Sequence, residues 1–126
     1  MALDIRIKKK LKHFDLDVSF SCPKGRLLGV VGPSGAGKTT IIRIIAGLDR
    51  PDEGRISLKE EVWTDTSAGV HVPTRKRGIG YVFQEFTLFP NLSVYKNVAF
   101  AARNRNGIED LLKMFDIWHL RESRPH

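Results

Sequence analysis

The sequence predicts a mixed α/β fold built around a phosphate-binding loop, and three observations carry that expectation. Leu3, Ile5 and Ile7, then Phe14, Leu16, Val18, Phe20 and Cys22, alternate with polar residues at period two. A continuous apolar run, Leu27-Leu28-Gly29-Val30-Val31, leads straight into Gly32-Pro33-Ser34-Gly35-Ala36-Gly37-Lys38-Thr39-Thr40. Apolar residues at helical spacing follow at once, at Ile41, Ile42, Ile44, Ile45 and Leu48.

Composition sets the outer bounds. The 126 residues suit one domain, and 41% apolar with 28% charged residues excludes disorder. No apolar run approaches the roughly 18 residues that a membrane-spanning helix needs. The first ten residues alternate charge and apolarity, unlike a secretory signal. The single cysteine, Cys22, excludes an internal disulfide or a multi-cysteine metal site. A cytosolic, soluble chain is expected. The net charge of +7 gathers around Lys8 to Lys12, Arg75 to Arg77, and Arg103 with Arg105. These clusters read as solvated faces. No aromatic-interleaved basic stripe accompanies them, so nucleic acid is not an expected partner.

Period two makes the first two stretches half-buried strands, an antiparallel pair joined near Lys9 to Lys12. Pro23-Lys24-Gly25 reads as a turn. The run from Leu27 to Val31 does not alternate, as expected of a strand covered on both faces. In the next helix four isoleucines are poor helix formers, so burial against a sheet must hold it. Gly47 and Pro51 mark its end. Pro51-Asp52-Glu53-Gly54 turns into a short strand at Arg55 to Leu58, and Trp63 to Pro73 gives broken strand signals. Ile79, Tyr81, Val82 and Phe83 predict another strand, ending at Gln84. Ser93 is an expected N-cap for a helix carrying Val94, Val98, Ala101 and Ala102. After Asn106-Gly107, the spacing of Ile108, Leu111, Leu112 and Phe115 predicts an amphipathic helix.

Residues Gly32 to Thr39 match G-x-x-x-x-G-K-[ST], which chance supplies in roughly 0.7% of chains of this composition. The pattern has a physical logic. A loop that wraps a polyphosphate turns several backbone N–H groups inward, and Gly32, Gly35 and Gly37 allow the angles that this needs. The helix that follows aims its positive end at the phosphates. Lys38 reaches the β- and γ-phosphates, the Thr39 hydroxyl ligates Mg²⁺, and Thr40 donates a further hydrogen bond. By the loop alone the chain fits a kinase, a GTPase, a motor or a transport ATPase.

Gly35 to Thr40, followed by Ile45-Ala46-Gly47-Leu48 and Pro51 to Ile56, resembles the ATP-binding subunits of ABC transporters. So does Arg77 to Gln84, continuing through Leu88-Phe89-Pro90-Asn91-Leu92-Ser93-Val94 to Asn97-Val98. The resemblance implies an α/β P-loop NTPase of the ABC ATPase type. Residues 1–126 would be the N-terminal part of one ATP-binding domain, with a β-rich core to about residue 90 and the start of a helical subdomain over about 91–126. The Phe14 to Val18 segment, and Asp65, Gly69, Val70, Val72, Pro73 and Arg77, are similar to the molybdate importers. Sulfate, iron, polyamine and sugar importers share much of the second pattern.

The resemblance also implies roles. ATP and Mg²⁺ are the expected cofactors. Gln84 begins the loop whose amide contacts Mg²⁺ or the attacking water, so Lys38 and Gln84 are the candidate catalytic pair. Phe14 is the candidate for stacking on adenine; it also fits the inward face of its strand. Phe86, Leu88, Phe89 and Tyr95 are either a docking surface for a transmembrane permease or ordinary packing. A second ATP-binding subunit and a peripheral place on the inner face of the cell membrane are further implications. His13, His71, His119 and His126 show no metal-ligand spacing and read as surface histidines. Trp63 and Trp118 read as packing residues.

The family's signature, its apolar strand ending in Asp-Glu and its histidine switch do not occur among these residues. A chain with positioning groups alone is therefore expected to bind nucleotide without turning it over. Apolar strand edges left facing water are expected as well. The alternatives are a non-catalytic nucleotide-binding module, a nucleotide kinase, which would need an acceptor site not seen here, and a basic nucleic-acid binder.

Overall fold

The structure, a computed structural model, describes residues 2–125. The chain divides into two units, Met1–Tyr81 and Val82–His126. His126 lies outside the described residues.

In the first unit β1 (Ala2–Lys10) and β2 (Asp15–Pro23) form the expected antiparallel pair, with Ile5 opposite Phe20 and Ile7 opposite Val18. The connection lies at residues 11–14, slightly later than expected, and the amide of Leu11 donates to the Phe14 carbonyl. β3 (Glu53–Leu58), β4 (Glu61–Asp65) and β5 (Val70–His71) complete a sheet of order β2-β1-β3-β4-β5, antiparallel throughout. Alternation sends Ile5, Ile7 and Leu16 to one face and Asp4, Arg6 and Lys8 to the other.

The apolar face is covered by α1 (Lys38–Ala46), whose Ile41 and Ile44 join Ile5, Ile7, Leu16, Ile56 and Trp63 in the core. Magnitudes explain why a helix so rich in isoleucine survives. Each isoleucine costs at most about 0.7 kcal/mol in propensity, while full burial of one returns about 1.5–3 kcal/mol. Gly47 ends α1 at φ 85°, with Gly47 N–H bonded to Ile44 O and Leu48 N–H to Arg43 O.

Arg77 departs from the expected solvated cluster: only 3% of it is exposed. Its guanidinium donates to the carbonyls of Val72 (2.8 Å), Ile45 (2.9 Å) and Trp63 (3.3 Å) and to Thr64 Oγ1 (3.0 Å). It also lies 5.6 Å from the Trp63 ring centroid. One side chain thus ties the C-terminal end of α1 to β4 and the chain after β5. Burial lowers its pKa, yet an arginine stays charged, and the negative end of α1 favours that charge. A Cβ on Gly47 would lie 2.7 Å from Arg77 Nε, so the glycine also makes room for the guanidinium.

His71 also departs from its surface reading, because its Nδ1 is buried with no hydrogen-bond partner. Burial first, then the charges of Arg50 and Arg77, hold its pKa below the ordinary value; a hydrogen bond to the Gly47 backbone opposes them. The folded state therefore keeps this imidazole neutral where the unfolded chain takes up a proton. Its contribution is complete above about pH 6.5 and is lost as pH falls through the lower folded value. Melting temperature is expected to fall between about pH 7.5 and about pH 5.5, and to fall less in His71→Gln. Equal falls in both proteins would assign the loss to other groups.

Two expected strands do not form: residues 27–31 and 79–83 belong to no strand. Leu27 is 100% exposed, Val31 92% and Val82 95%. Apolarity predicts burial only where a neighbouring strand and a covering layer exist, and the five-stranded sheet closes its pairing without either segment.

In the second unit, α2 (Val94–Ala101) begins where expected, with Ser93 Oγ accepting from the Lys96 amide at 3.2 Å. The first two amides of α2 also find partners: Val94 N–H bonds to Ser123 O and Tyr95 N–H to Arg121 O. α3 (Ile108–Met114) buries Ile108 and Leu112 but leaves Leu111 and Phe115 exposed, so only part of its apolar stripe is covered. Trp118 is half-buried, with Arg121 at 4.6 Å and Lys113 at 5.8 Å from its ring centroid. It packs beneath cations rather than in an apolar core.

Candidate functional site

The glycine-rich loop lies in the first unit, immediately before α1. Gly35 and Gly37 take φ 80° and 91°, backbone angles that side chains with a Cβ rarely adopt. A turn closes inside the loop, where Ala36 N–H donates to Pro33 O at 3.2 Å. The first helical bond of α1 runs from Ile41 N–H to Gly37 O. The amides of Lys38, Thr39 and Thr40 precede it and so have no acceptor within the helix. Gly37 supplies no capping side chain, and the first turn holds no acidic residue. The positive end of α1 is therefore left for an anion, an interaction worth about 0.3–1 kcal/mol, up to ~2 when partly buried.

Lys38 completes the cradle. Its Nζ donates to the carbonyls of Gly32 (2.6 Å) and Pro33 (2.7 Å), so the ammonium lies folded over its own loop. Gly32, Pro33, Ser34 and Gly35 are exposed, as is Thr39, while Ala36, Gly37, Lys38 and Thr40 are half-buried. The arrangement joins an open loop, helix amides without a helical acceptor and a cation, which together suit a polyphosphate.

Phe14 is not on the inward face of a strand, because β2 starts one residue later. It sits in the β1–β2 connection, 38% exposed, beside the loop. A Cβ added to Gly37 would lie 3.3 Å from Leu16 Cδ1 and 3.4 Å from Phe14 Cζ. The structure thus brings Phe14 to the start of α1. Period two had carried the strand one residue too far, since the turn geometry overrides alternation at its end.

Gln84 belongs to the second unit, on an exposed bend. Phe86 is fully exposed, Leu88 57% and Phe89 40%, while Tyr95 is half-buried. Phe89 packs its ring against Phe100 at 4.7 Å. Among the described residues no cluster of three or more His, Cys, Asp or Glu side chains could hold a metal ion. His13 and His119 are exposed, as expected. Cys22 is half-buried, its thiol within 3.4 Å of the Arg26 carbonyl. Among the described residues no helix is long and apolar enough to cross a membrane.

Sequence reasoning passed over Arg77 and Asn97. Arg77 lies in a run of bases that signals solvent, and nothing local marks it as buried. Asn97 lies on α2 and reaches back to the loop before it, a contact that only the folded chain displays.

Comparison with known proteins agrees with this geometry. Residues 16–126 match the family described as ABC transporter. The molybdenum import ATP-binding protein ModC of Rhizobium johnstonii is 44% identical over 131 residues, covering 99% of this chain and 37% of that protein. The protein of the same description from Mycobacterium tuberculosis is 53% identical over 93 residues, covering 74% and 25%. Among solved structures, the dimeric ATP-binding cassette MJ0796 in a post-hydrolysis state, bound to ADP and Pi, superposes with a TM-score of 0.72 at 27% identity. That match covers 99% of this chain and 62% of the cassette. The chain therefore spans little more than a third, at most, of these two curated relatives. With the loop, the helix behind it and the matched span in agreement, this chain belongs to the ABC transporter family.

Proposed function

We propose that the chain is the nucleotide-binding part of the energy-coupling subunit of an ABC importer, whose cargo is molybdate or a related oxyanion. One observation carries the nucleotide half: the open amides of α1 and the Lys38 ammonium converge on a glycine-rich loop. The cargo rests on the relatives, which are described as molybdenum import ATP-binding proteins.

In this reading the backbone from Gly32 to Thr40 holds the phosphates of ATP. Lys38 exchanges its two loop carbonyls for β- and γ-phosphate oxygens, and Thr40 adds a hydrogen bond. Thr39 supplies an oxygen ligand to Mg²⁺, and Gln84 carries an amide oxygen of the same hard type, a kind of donor that suits that ion together with phosphate. When bound, Mg²⁺ neutralises charge on the phosphates. Phe14, beside Gly37, stacks on the base of the nucleotide whose phosphates occupy the loop, a role that its nearness to the start of α1 supports. Phe86, Leu88, Phe89 and Tyr95 meet a membrane-spanning permease at the inner face of the membrane, and a second ATP-binding subunit completes the assembly.

Isothermal titration with ATP, and separately with inorganic tripolyphosphate, tests the site. Wild type is expected to bind both. Phe14→Ala is expected to bind ATP about tenfold more weakly, at the low end of base-stacking energies, with tripolyphosphate affinity unchanged. Loss of both ligands together would return Phe14 to a packing role against Gly37. A wild-type chain that binds neither would remove the nucleotide reading.

A further inference from the structure

Asn97 makes four side-chain hydrogen bonds, all to the loop that precedes its own helix. Its Oδ1 accepts from Phe89 N–H at 2.8 Å. Its Nδ2 donates to the carbonyls of Phe89 (3.2 Å), Leu92 (3.1 Å) and Ser93 (3.0 Å). The side-chain nitrogen faces three carbonyls and the oxygen faces one amide, which sets the orientation of the side chain. Both polar groups of Phe89 thus bond to one carboxamide, and the Phe89 carbonyl also accepts from Leu92 N–H at 3.2 Å. The Phe89 ring adds a second tie, packing on Phe100 of the same helix at 4.7 Å.

These ties matter because residues 84–93 belong to no helix or strand. Without them, a push on the exposed side chains of Phe86 and Leu88 would be absorbed by flexing of the loop. We propose that Asn97 is a positioning residue that makes the Phe89 end of this loop and α2 move as one body. Force from a membrane-spanning partner is then delivered to the helix. The inference rests on the reading of Phe86, Leu88 and Phe89 as the surface that meets such a partner. A loop held in place before docking also loses less conformational freedom on docking, so the same contacts favour affinity.

The test uses the whole chain, with amide hydrogen exchange as one readout. Binding to proteoliposomes that carry the membrane-spanning subunit of a molybdate importer is the other. Asn97→Ala is expected to lose protection at the Phe89 amide and to bind the proteoliposomes about tenfold more weakly, with ATP affinity unchanged. Asn97→Asp keeps the acceptor for Phe89 N–H, so it is expected to retain that protection in part and to bind at an intermediate level. Ser93→Ala is the control for general weakening of α2: it removes the N-cap but leaves Phe89 tied, and its binding is expected to match wild type. Protection retained in Asn97→Ala, or protection lost without weaker binding, overturns the proposal. So does Ser93→Ala binding as weakly as Asn97→Ala. If wild type and Phe86→Ala bind the proteoliposomes equally, or not at all, the docking reading fails and the inference fails with it. The exchange result then separates that failure from an error about the tie itself.

Discussion

Replacing Arg77 with methionine is expected to cost the first unit about 3 kcal/mol, a large part of the ~5–15 kcal/mol that holds a typical domain together. Two effects compete. Methionine removes a buried positive charge that faces carbonyls and a hydroxyl rather than a carboxylate, which by itself favours the variant. Against that, the carbonyls of Ile45 and Val72 and the Thr64 hydroxyl lose this donor, while Trp63 O keeps its bond from Val72 N–H at 2.8 Å; each buried group left unsatisfied costs about 1–3 kcal/mol. These losses outweigh the charge because two carbonyls and a hydroxyl give up their donor at once, while the end of α1 had already offset part of the charge. Arg77→Lys is expected to recover little, since an ammonium cannot present donors in a planar fork toward three carbonyls and a hydroxyl. Urea unfolding followed by far-UV circular dichroism measures the difference. A methionine variant with the wild-type midpoint and slope would show that water reaches these carbonyls and that Arg77 is dispensable.

Lys38→Ala has the opposite profile, a large effect on ligand and a small one on stability. The ammonium bonds only to exposed carbonyls, at Gly32 and Pro33, and water can replace it there. The change in stability is therefore expected to stay within about 0.5 kcal/mol. Toward a polyphosphate the same group makes charge-assisted hydrogen bonds worth about 1.5–3 kcal/mol, so ATP affinity is expected to fall roughly 10- to 150-fold. A titration that returns the wild-type dissociation constant would take Lys38 out of the site. A large drop in melting temperature would instead mean that the lysine organises the loop rather than the ligand.

The local elements proved readable in the chain because their causes are local. Period two placed β1 and β2, since one face of each meets a core and the other meets water. Ser93 announced the start of α2 because the cap forms within one turn. Gly47 announced the end of α1 because a left-handed residue is needed there. The glycine-rich loop was the most legible part of the candidate site, as its geometry follows from glycine positions and from the helix next to it. Apolarity misled at residues 27–31 and 79–83, where the composition of a buried strand occurs outside any strand. Burial depends on what lies alongside, and a linear sequence does not carry that information for non-neighbours.

The amino-acid order by itself determined the alternating strands, the helix caps, the glycine cradle with its lysine, and the family these motifs resemble. Each of those follows from interactions within a few residues. Tertiary structure alone decided that Arg77 is a buried clamp rather than a solvated base, that Phe14 lies beside Gly37, and that Asn97 holds Phe89. In all three, the decisive partner is brought close only when the chain folds back on itself, and hydrogen bonds and packing act on distance in space rather than along the backbone.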